Sequence, residues 1–260
     1  VVPAEGDRVP ANIQASLTAR DRLPASERLA KLREKVRRTW NEFAARHWCE
    51  HVDFLADLGL LREGVAHYHV AHHRAHAASA FHLSGLTEPA AILTCDGKGD
   101  GLSATMYRGT PGAGLKYLRG SVANDSVGLF YQAVTEALGF VPVDGEYKTM
   151  GLAAFGQVLG RANPFEGIVS VRDGILASSR TWTSANYNER HPDKKVNNPL
   201  SSVAQADEFQ RLLERFSDRD LAYFAQAHLE EVMLRLASDA MQIADAPRLV
   251  GAGGVMLNVK

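Results

Sequence analysis

Five histidines, His67, His69, His72, His73 and His76, fall within ten positions of this chain. Neutral imidazole suits iron, zinc, copper or nickel, and two imidazoles four residues apart on a helix share one face about a turn apart. Two pairs have that spacing, His69 with His73 and His72 with His76, and spacing alone does not choose between them. Two nitrogens are too few for a metal, so a carboxylate is expected from elsewhere. Asp96 is the best candidate: it ends the apolar run Ala90 to Thr94, and α/β proteins gather ligands at the carboxyl ends of buried strands. Ala75, Ala77, Ala78 and Ser79 beside the histidines are small enough to let another element come close.

Three glycine-containing segments carry further chemistry. Asp96-Gly97-Lys98-Gly99-Asp100-Gly101 reads as a tight turn whose backbone N–H groups can cradle phosphate. It is neither a Walker loop, having no Gly-Lys-Ser/Thr, nor a Rossmann fingerprint, having no helix directly after it. Gly251-Ala252-Gly253-Gly254-Val255-Met256-Leu257-Asn258 follows a strand and is expected to open a helix, where glycine lets a nucleotide approach the backbone. Glu146-Tyr147-Lys148-Thr149-Met150-Gly151-Leu152-Ala153 reads as a charged segment leading into an apolar turn, and its Lys148 can neutralise a phosphate or a developing oxyanion. Each segment has an ordinary structural explanation as well: a plain hairpin, close packing at glycine, a charged surface loop.

The surrounding elements must position these groups. Leu29, Leu32, Val36, Trp40 and Phe43 predict a helix between Ala25 and Trp48, and a shorter one is expected over Val52 to Leu58. The stretch from Ala66 to Phe81 predicts a short strand entering a helix. Ala90 to Thr94 predicts a buried strand, and Ser103 to Tyr107 with Gly114 to Leu118 an antiparallel meander. Asn124, Asp125 and Ser126 offer caps to a helix with the stripe Val127, Phe130, Tyr131, Val134 and Leu138, closed by Gly139. Residues 157 to 200 are richer in polar and turn residues and read as an insertion, with a hairpin at Asp173-Gly174. A long helix is expected from about Asp218 to Ala244, with Leu221, Ala225, Leu229, Val232 and Leu236 on one face. Pro247 stops it, and Arg248 to Val250 begins another buried strand. Interleaved strands and helices predict α/β layers around a mixed sheet.

Composition removes several classes of function. The formal net charge of −1 over 260 residues gives no electrostatic case for nucleic acid or an anionic membrane. The basic run Lys31, Arg33, Lys35, Arg37 and Arg38 reads as a solvated helix face. Two cysteines, Cys49 and Cys95, make no disulfide framework and suit a reducing cytosol, so a cytoplasmic protein is expected. No apolar run approaches the roughly 20 residues that span a bilayer, and the first residues do not form a signal peptide. Val1 and Lys260 look like neither a natural beginning nor a natural end, so a piece of a longer protein is expected.

Read together, the segments resemble one family, the carbamoyltransferases of nodulation and antibiotic biosynthesis. The matches are His72-His73-Arg74-Ala75-His76-Ala77-Ala78-Ser79-Ala80-Phe81, then Thr94 to Gly101, then Ser126-Val127-Gly128-Leu129-Phe130-Tyr131 with Leu138-Gly139-Phe140. Glu146 to Gly156 and Ala252 to Asn258 complete the set in the same order. The resemblance implies an α/β fold of ribonuclease-H-like lobes, of the actin, Hsp70 and sugar-kinase type, incomplete at both ends. Residues 1–88 would be part of a first lobe and 89–260 most of a second, with the insertion at about 157–200. A separate YrdC-like domain would lie outside the chain.

The implied activity is transfer of a carbamoyl group from carbamoyl phosphate, by way of carbamoyl adenylate made with ATP, to a hydroxyl of a sugar or antibiotic-like molecule. The resemblance makes His72, His76 and Asp96 the ligands of a divalent metal, iron in the family. Asp96 and Lys148 would be catalytic, and Gly97, Gly99, Gly253, Gly254 and Asn258 would hold the nucleotide. The expected partners are carbamoyl phosphate, ATP and a small hydroxyl acceptor, with no membrane or nucleic acid, and a homodimer is allowed. Two alternatives stand beside this: a related transferase that threonylcarbamoylates tRNA, and a fragment that binds metal or nucleotide without catalysis. The chain alone is expected to be inactive in the overall reaction.

Overall fold

A computed structural model describes residues 70–158, 160–194 and 201–260. The helices expected at Ala25–Trp48 and Val52–Leu58, the basic run, His67 and His69 lie outside the described residues.

The described chain is mixed α/β, built on a four-stranded mixed sheet. Helix α1 (His72–His82) leads into the meander β1 (Ala90–Gly99), β2 (Leu102–Thr110) and β3 (Gly114–Val122). Helices α2 (Val127–Ala137) and α3 (Glu146–Ala153) follow, then the hairpin β4 (Val169–Arg172) and β5 (Ile175–Ser178). The small pair β6 (Ser184–Asn186) and β7 (Ser201–Val203) brackets α4 (Tyr187–Arg190). Helix α5 (Ala206–Gln210), the long α6 (Asp218–Ala244), and β8 (Arg248–Ala252) complete the order. The sheet runs β3-β2-β1-β8, antiparallel except where β8 lies parallel to β1.

Side-chain alternation along β1 makes the sheet the middle of three layers. Ile92 faces Ala77 and Phe81 of α1 together with Tyr107. Leu93 and Cys95, with Ala104 and Met106 of β2, face α2 and α6 in the main core. A strand covered on both faces reads as a continuous apolar run rather than an alternation, which is why Ala90 to Thr94 stood out in the sequence.

Helix α6 has the boundaries its periodicity predicts, and Leu221, Ala225, Leu229, Val232 and Leu236 are all buried. The Ser217 hydroxyl caps it by accepting the Asp220 N–H. At its other end Asp245 turns left-handed and Arg108 donates to the carbonyls of Ala244 and Asp245. Helix α2 begins as expected at Ser126, whose hydroxyl accepts the Leu129 N–H.

The structure departs from the expected elements in three places. β1 does not stop at Asp96. It continues to Gly99 through a slip in register between Cys95↔Ala104 and Gly99↔Leu102, so the turn shrinks to Asp100-Gly101. Glu146 to Ala153 is a helix, not a loop and turn; Gly151 sits inside it. Gly254 to Leu257 forms a single 3-10 turn rather than opening a longer helix. The segment from 157 onward is also less loose than its composition suggests. Phe165, Leu176 and Trp182 join the main core, and the β4–β5 hairpin is tied down by Leu176 N–H to Ser121 Oγ at 2.8 Å and Gly174 N–H to Asp239 Oδ2 at 3.0 Å.

Candidate metal centre and adjoining cavity

Helix α1 presents its histidines on two faces. His73, Ala77 and Phe81, four apart, are buried against the sheet. His73 Nε2 lies 3.2 Å from the carbonyl oxygen of Leu102, which can only accept, so Nε2 carries the proton. Nδ1 then accepts from Thr94 Oγ at 2.7 Å, and Thr105 Oγ lies 2.6 Å beyond. Burial holds the His73 imidazole below its ordinary pKa. This histidine is neutral, satisfied and structural, which removes the His69–His73 alternative as far as His73 is concerned.

His72 and His76 flank that buried face and converge on one atom. Their Nε2 nitrogens lie 3.1 and 3.2 Å from Asp96 Oδ2. Among the described residues, this is the one group of three whose ligand atoms all fall within 4.8 Å of one another. The ring centroids of His72 and His76 are 4.7 Å apart and nearly perpendicular. The other Asp96 oxygen, Oδ1, accepts the Gly97 N–H at 2.9 Å, and the Gly254 N–H also bonds the carboxylate. Burial would raise the Asp96 carboxyl, but the hydrogen bonds from His72, Gly97 and Gly254 outweigh it and hold the group below its ordinary value. The donor set, two imidazole nitrogens and an ionised carboxylate with side chains a fifth to two fifths exposed, fits a divalent transition metal.

Asp96 also lines a cavity of about 530 Å³. Its walls come from the bulged end of β1 (Gly97, Lys98), from α2 (Gly128, Leu129, Tyr131, Gln132), from α3 (Glu146, Tyr147, Met150) and from the last segment (Gly254, Val255, Leu257, Asn258). The Asn258 amide pairs with that of Gln226 through two 2.9 Å bonds, and Gln226 Oε1 also accepts the Tyr131 hydroxyl at 2.8 Å. Glu146 Oε1 accepts the Val143 N–H at 2.8 Å, and burial raises its carboxyl above the ordinary value. That bond steadies Val143, a β-branched residue at φ 73°.

The residues expected at the site therefore divide. His72, His76, Asp96, Gly97, Gly254 and Asn258 are brought together. Gly99 does not line the cavity: it lies against the His72 ring. Gly253 is also away from it; at φ 109° it crosses so close to β1 that a Cβ would overlap the Cys95 carbonyl. Lys148 is exposed on α3, its Nζ over the rings of Phe140 and Tyr147, and Lys98 is the lysine that lines the cavity. Tyr131 and Gln132 were hidden in the sequence because the apolar stripe of α2 absorbs Tyr131 as core. Glu146 carried a signal, but only as a companion of Lys148.

Fold and site together define an α/β protein in which two histidines and one aspartate converge at the edge of a cavity of ligand size. The chain belongs to the family described as carbamoyltransferase N-terminus, whose model matches residues 53–260. It is 30% identical over 193 residues to the uncharacterized protein sll1178 of Synechocystis, covering 72% of this chain and 30% of that protein. To nodulation protein NolNO of Sinorhizobium fredii it is 32% identical over 191 residues, 73% of this chain and 25% of the relative. To nodulation protein NolO of Bradyrhizobium diazoefficiens it is 42% identical over 85 residues, 33% of this chain and 15% of the relative. The chain thus spans about a third or less of the curated relatives it matches. Among the described residues no helix is long and apolar enough to cross a membrane.

Proposed function

We propose that this chain is the metal-bearing part of an O-carbamoyltransferase, within a ribonuclease-H-like lobe of the actin, Hsp70 and sugar-kinase type. The observation that carries the reading is the meeting of His72, His76 and Asp96 at the wall of the cavity formed by Gly97, Gly254 and Asn258. The donor is carbamoyl adenylate, formed elsewhere in the full-length protein from carbamoyl phosphate, ATP and water with release of phosphate and pyrophosphate. The acceptor is a hydroxyl of a sugar or antibiotic-like small molecule.

In the transfer step the acceptor oxygen forms a bond to the carbamoyl carbon. The bond from that carbon to the AMP oxygen breaks, AMP departs with the electron pair, and the hydroxyl proton ends in solvent. His72, His76 and Asp96 would hold the divalent metal, iron in this reading, which when bound supplies Lewis-acid polarisation of the carbamoyl or phosphate oxygens. The Gly97 backbone and Gly254 let the adenylate approach closely, and Lys98 faces its anionic part from the cavity wall. The apolar walls, Leu129, Leu229 and Val255, keep water from the mixed anhydride. Asn258, held by Gln226, presents a fixed amide to the bound nucleoside.

The test is ATP–pyrophosphate exchange by the full-length protein. Exchange that requires carbamoyl phosphate, with carbamoyl transfer abolished in Asp96→Ala while exchange persists, supports the reading. No exchange from folded, metal-loaded protein overturns it.

A further inference from the structure

Helix α1 starts without a cap of its own, since Ala71 at its N-cap offers no side-chain acceptor. Asp100 takes that role instead: its Oδ2 accepts the N–H of His72 at 2.6 Å from 28 residues further along the chain. A carboxylate at a helix N-terminus is favoured both as an acceptor for an orphan N–H and by the helix dipole. Asp100 reaches it because the β1–β2 turn has only two residues, both with positive φ, 49° at Asp100 and 80° at Gly101. Asp-Gly is the pair that such hairpins prefer.

The residue before the latch meets the same histidine. A Cβ at Gly99 would overlap Cδ2 and Cγ of the His72 ring and lie 2.6 Å from Nε2, the nitrogen that faces Asp96. His72 is thus held at two points, its backbone by the Asp100 carboxylate and its ring by the bare Gly99. His76 lies one helical turn beyond the latch. The slip in register after Cys95 gives β1 the extra length that carries Asp96 to the imidazoles and still returns Gly99 to pair with Leu102.

We propose that Gly99 and Asp100 are positioning residues that set the His72 imidazole for cation binding, so that one hairpin supplies both a ligand, Asp96, and the clamp on that ligand's neighbour. This assignment rests on the metal reading above and gives Gly99 a role apart from phosphate binding.

The test titrates Co(II) into the full-length protein and reads affinity and the visible d–d spectrum, alongside amide hydrogen exchange at His72 in the metal-free state. Gly99→Ala is expected to weaken cobalt binding at least about 10-fold, the cost usual for groups that orient a ligand, and to give the spectrum of His72→Ala. Asp100→Ala is expected to weaken binding several-fold and expose the His72 amide. Asp100→Asn keeps an acceptor and tolerates positive φ, so it is expected to restore both readouts to within about twofold. Wild-type affinity and spectrum in Gly99→Ala and Asp100→Ala would overturn the proposal. So would an Asp100→Asn variant as impaired as Asp100→Ala, since the charge itself would then be acting at the metal. Should Gly99→Ala fail to fold, the Asp100 pair decides alone. Wild-type protein that binds no cobalt overturns the metal reading itself and with it the purpose assigned here. The His72 amide still separates the two failures: exposure in Asp100→Ala shows the latch exists, and unchanged protection removes it.

Discussion

Among the described residues, two carboxylates have a histidine Nε2 about 3 Å away, and they are built for opposite ends. At Asp96 both imidazoles address one oxygen, the aspartate side chain is 22% exposed, and a cavity opens beside it. At Glu136 on α2 the carboxylate is 1% exposed and closed in by a mixed set of donors. Its Oε1 receives His191 Nε2 at 2.8 Å and the Ser202 hydroxyl at 2.5 Å, with Arg190 Nη1 at 3.5 Å, and its Oε2 receives the Val203 N–H at 3.0 Å. A guanidinium and a backbone N–H have no lone pair to offer and cannot exchange a proton for a cation, although at Glu136 His191 and the Ser202 hydroxyl could. The imidazoles on Asp96 can, because a neutral ring offers its Nε2 lone pair as readily as an N–H. The number of contacts does not tell the centres apart; the permanence of the donors does. Glu136 clasps β7 and α4 to the core helix, whereas Asp96 meets two imidazoles beside an open cavity.

The contrast is broken most forcefully at the clasp. Glu136→Ala takes the shared acceptor from His191, Ser202 and the Val203 N–H while Arg190 keeps Asp207, and is expected to cost about 3 kcal/mol, the low end for removing one partner from a buried ion pair. Thermal denaturation should show a Tm lower by roughly 10 °C with cobalt affinity unchanged. A clasp variant that loses metal but keeps its Tm would reverse the roles assigned to the two centres. At the other centre, Asp96→Ala or His76→Ala should weaken divalent metal on the order of 100-fold, about 2.7 kcal/mol, while Tm moves by no more than about 2 °C. Isothermal titration and a melting curve on the same sample check both halves.

The smallest effect comes from the buried histidines that belong to neither carboxylate. Burial holds His73 and His228 below their ordinary pKa, so both are neutral in the fold. The unfolded chain takes up those protons near pH 6.5, and the folded chain does so only at lower pH. Stability is therefore complete above about pH 6.5 and falls as the pH drops below it. Melting at pH 7.5 and 5.5 should show this loss in the wild type and a smaller loss in His228→Phe. An equal loss in both would place the acid sensitivity elsewhere.

Much of the candidate site was legible in the sequence because its signals are local. The four-residue spacing that put His72 and His76 among the candidate pairs, the buried strand from Ala90 to Thr94, and the stripe from Leu221 to Leu236 are signals within one element, though the point where β1 ends was not among them. What stayed hidden depends on contacts between elements. Nothing in the spacing of Gly99 says that an imidazole will rest on it, since that follows from a register slip between β1 and β2. Glu136 drew no reading from the sequence because its partners lie on segments more than fifty residues away. Lys148 drew attention by charge, but the helix that Glu146 to Ala153 forms turns it away from the cavity wall that Glu146, Tyr147 and Met150 supply.

β8, the parallel neighbour of β1, comes last among the described strands, and the Arg248–Glu88 ion pair beside that contact joins residues 160 apart. Long-range pairing of this kind is slow, because the loop must close before its contacts form. The donor set needs only α1 and the β1–β2 hairpin, complete at residue 110. On the ribosome, His72, His76 and Asp96 can therefore meet while Gly254 and Asn258 are still unsynthesised. Topology thus separates the two: the triad is local to one helix and one hairpin, whereas the cavity wall at Gly254 and Asn258 waits on the β1–β8 pairing. The Gly254 N–H closes on Asp96 only once that pairing is made.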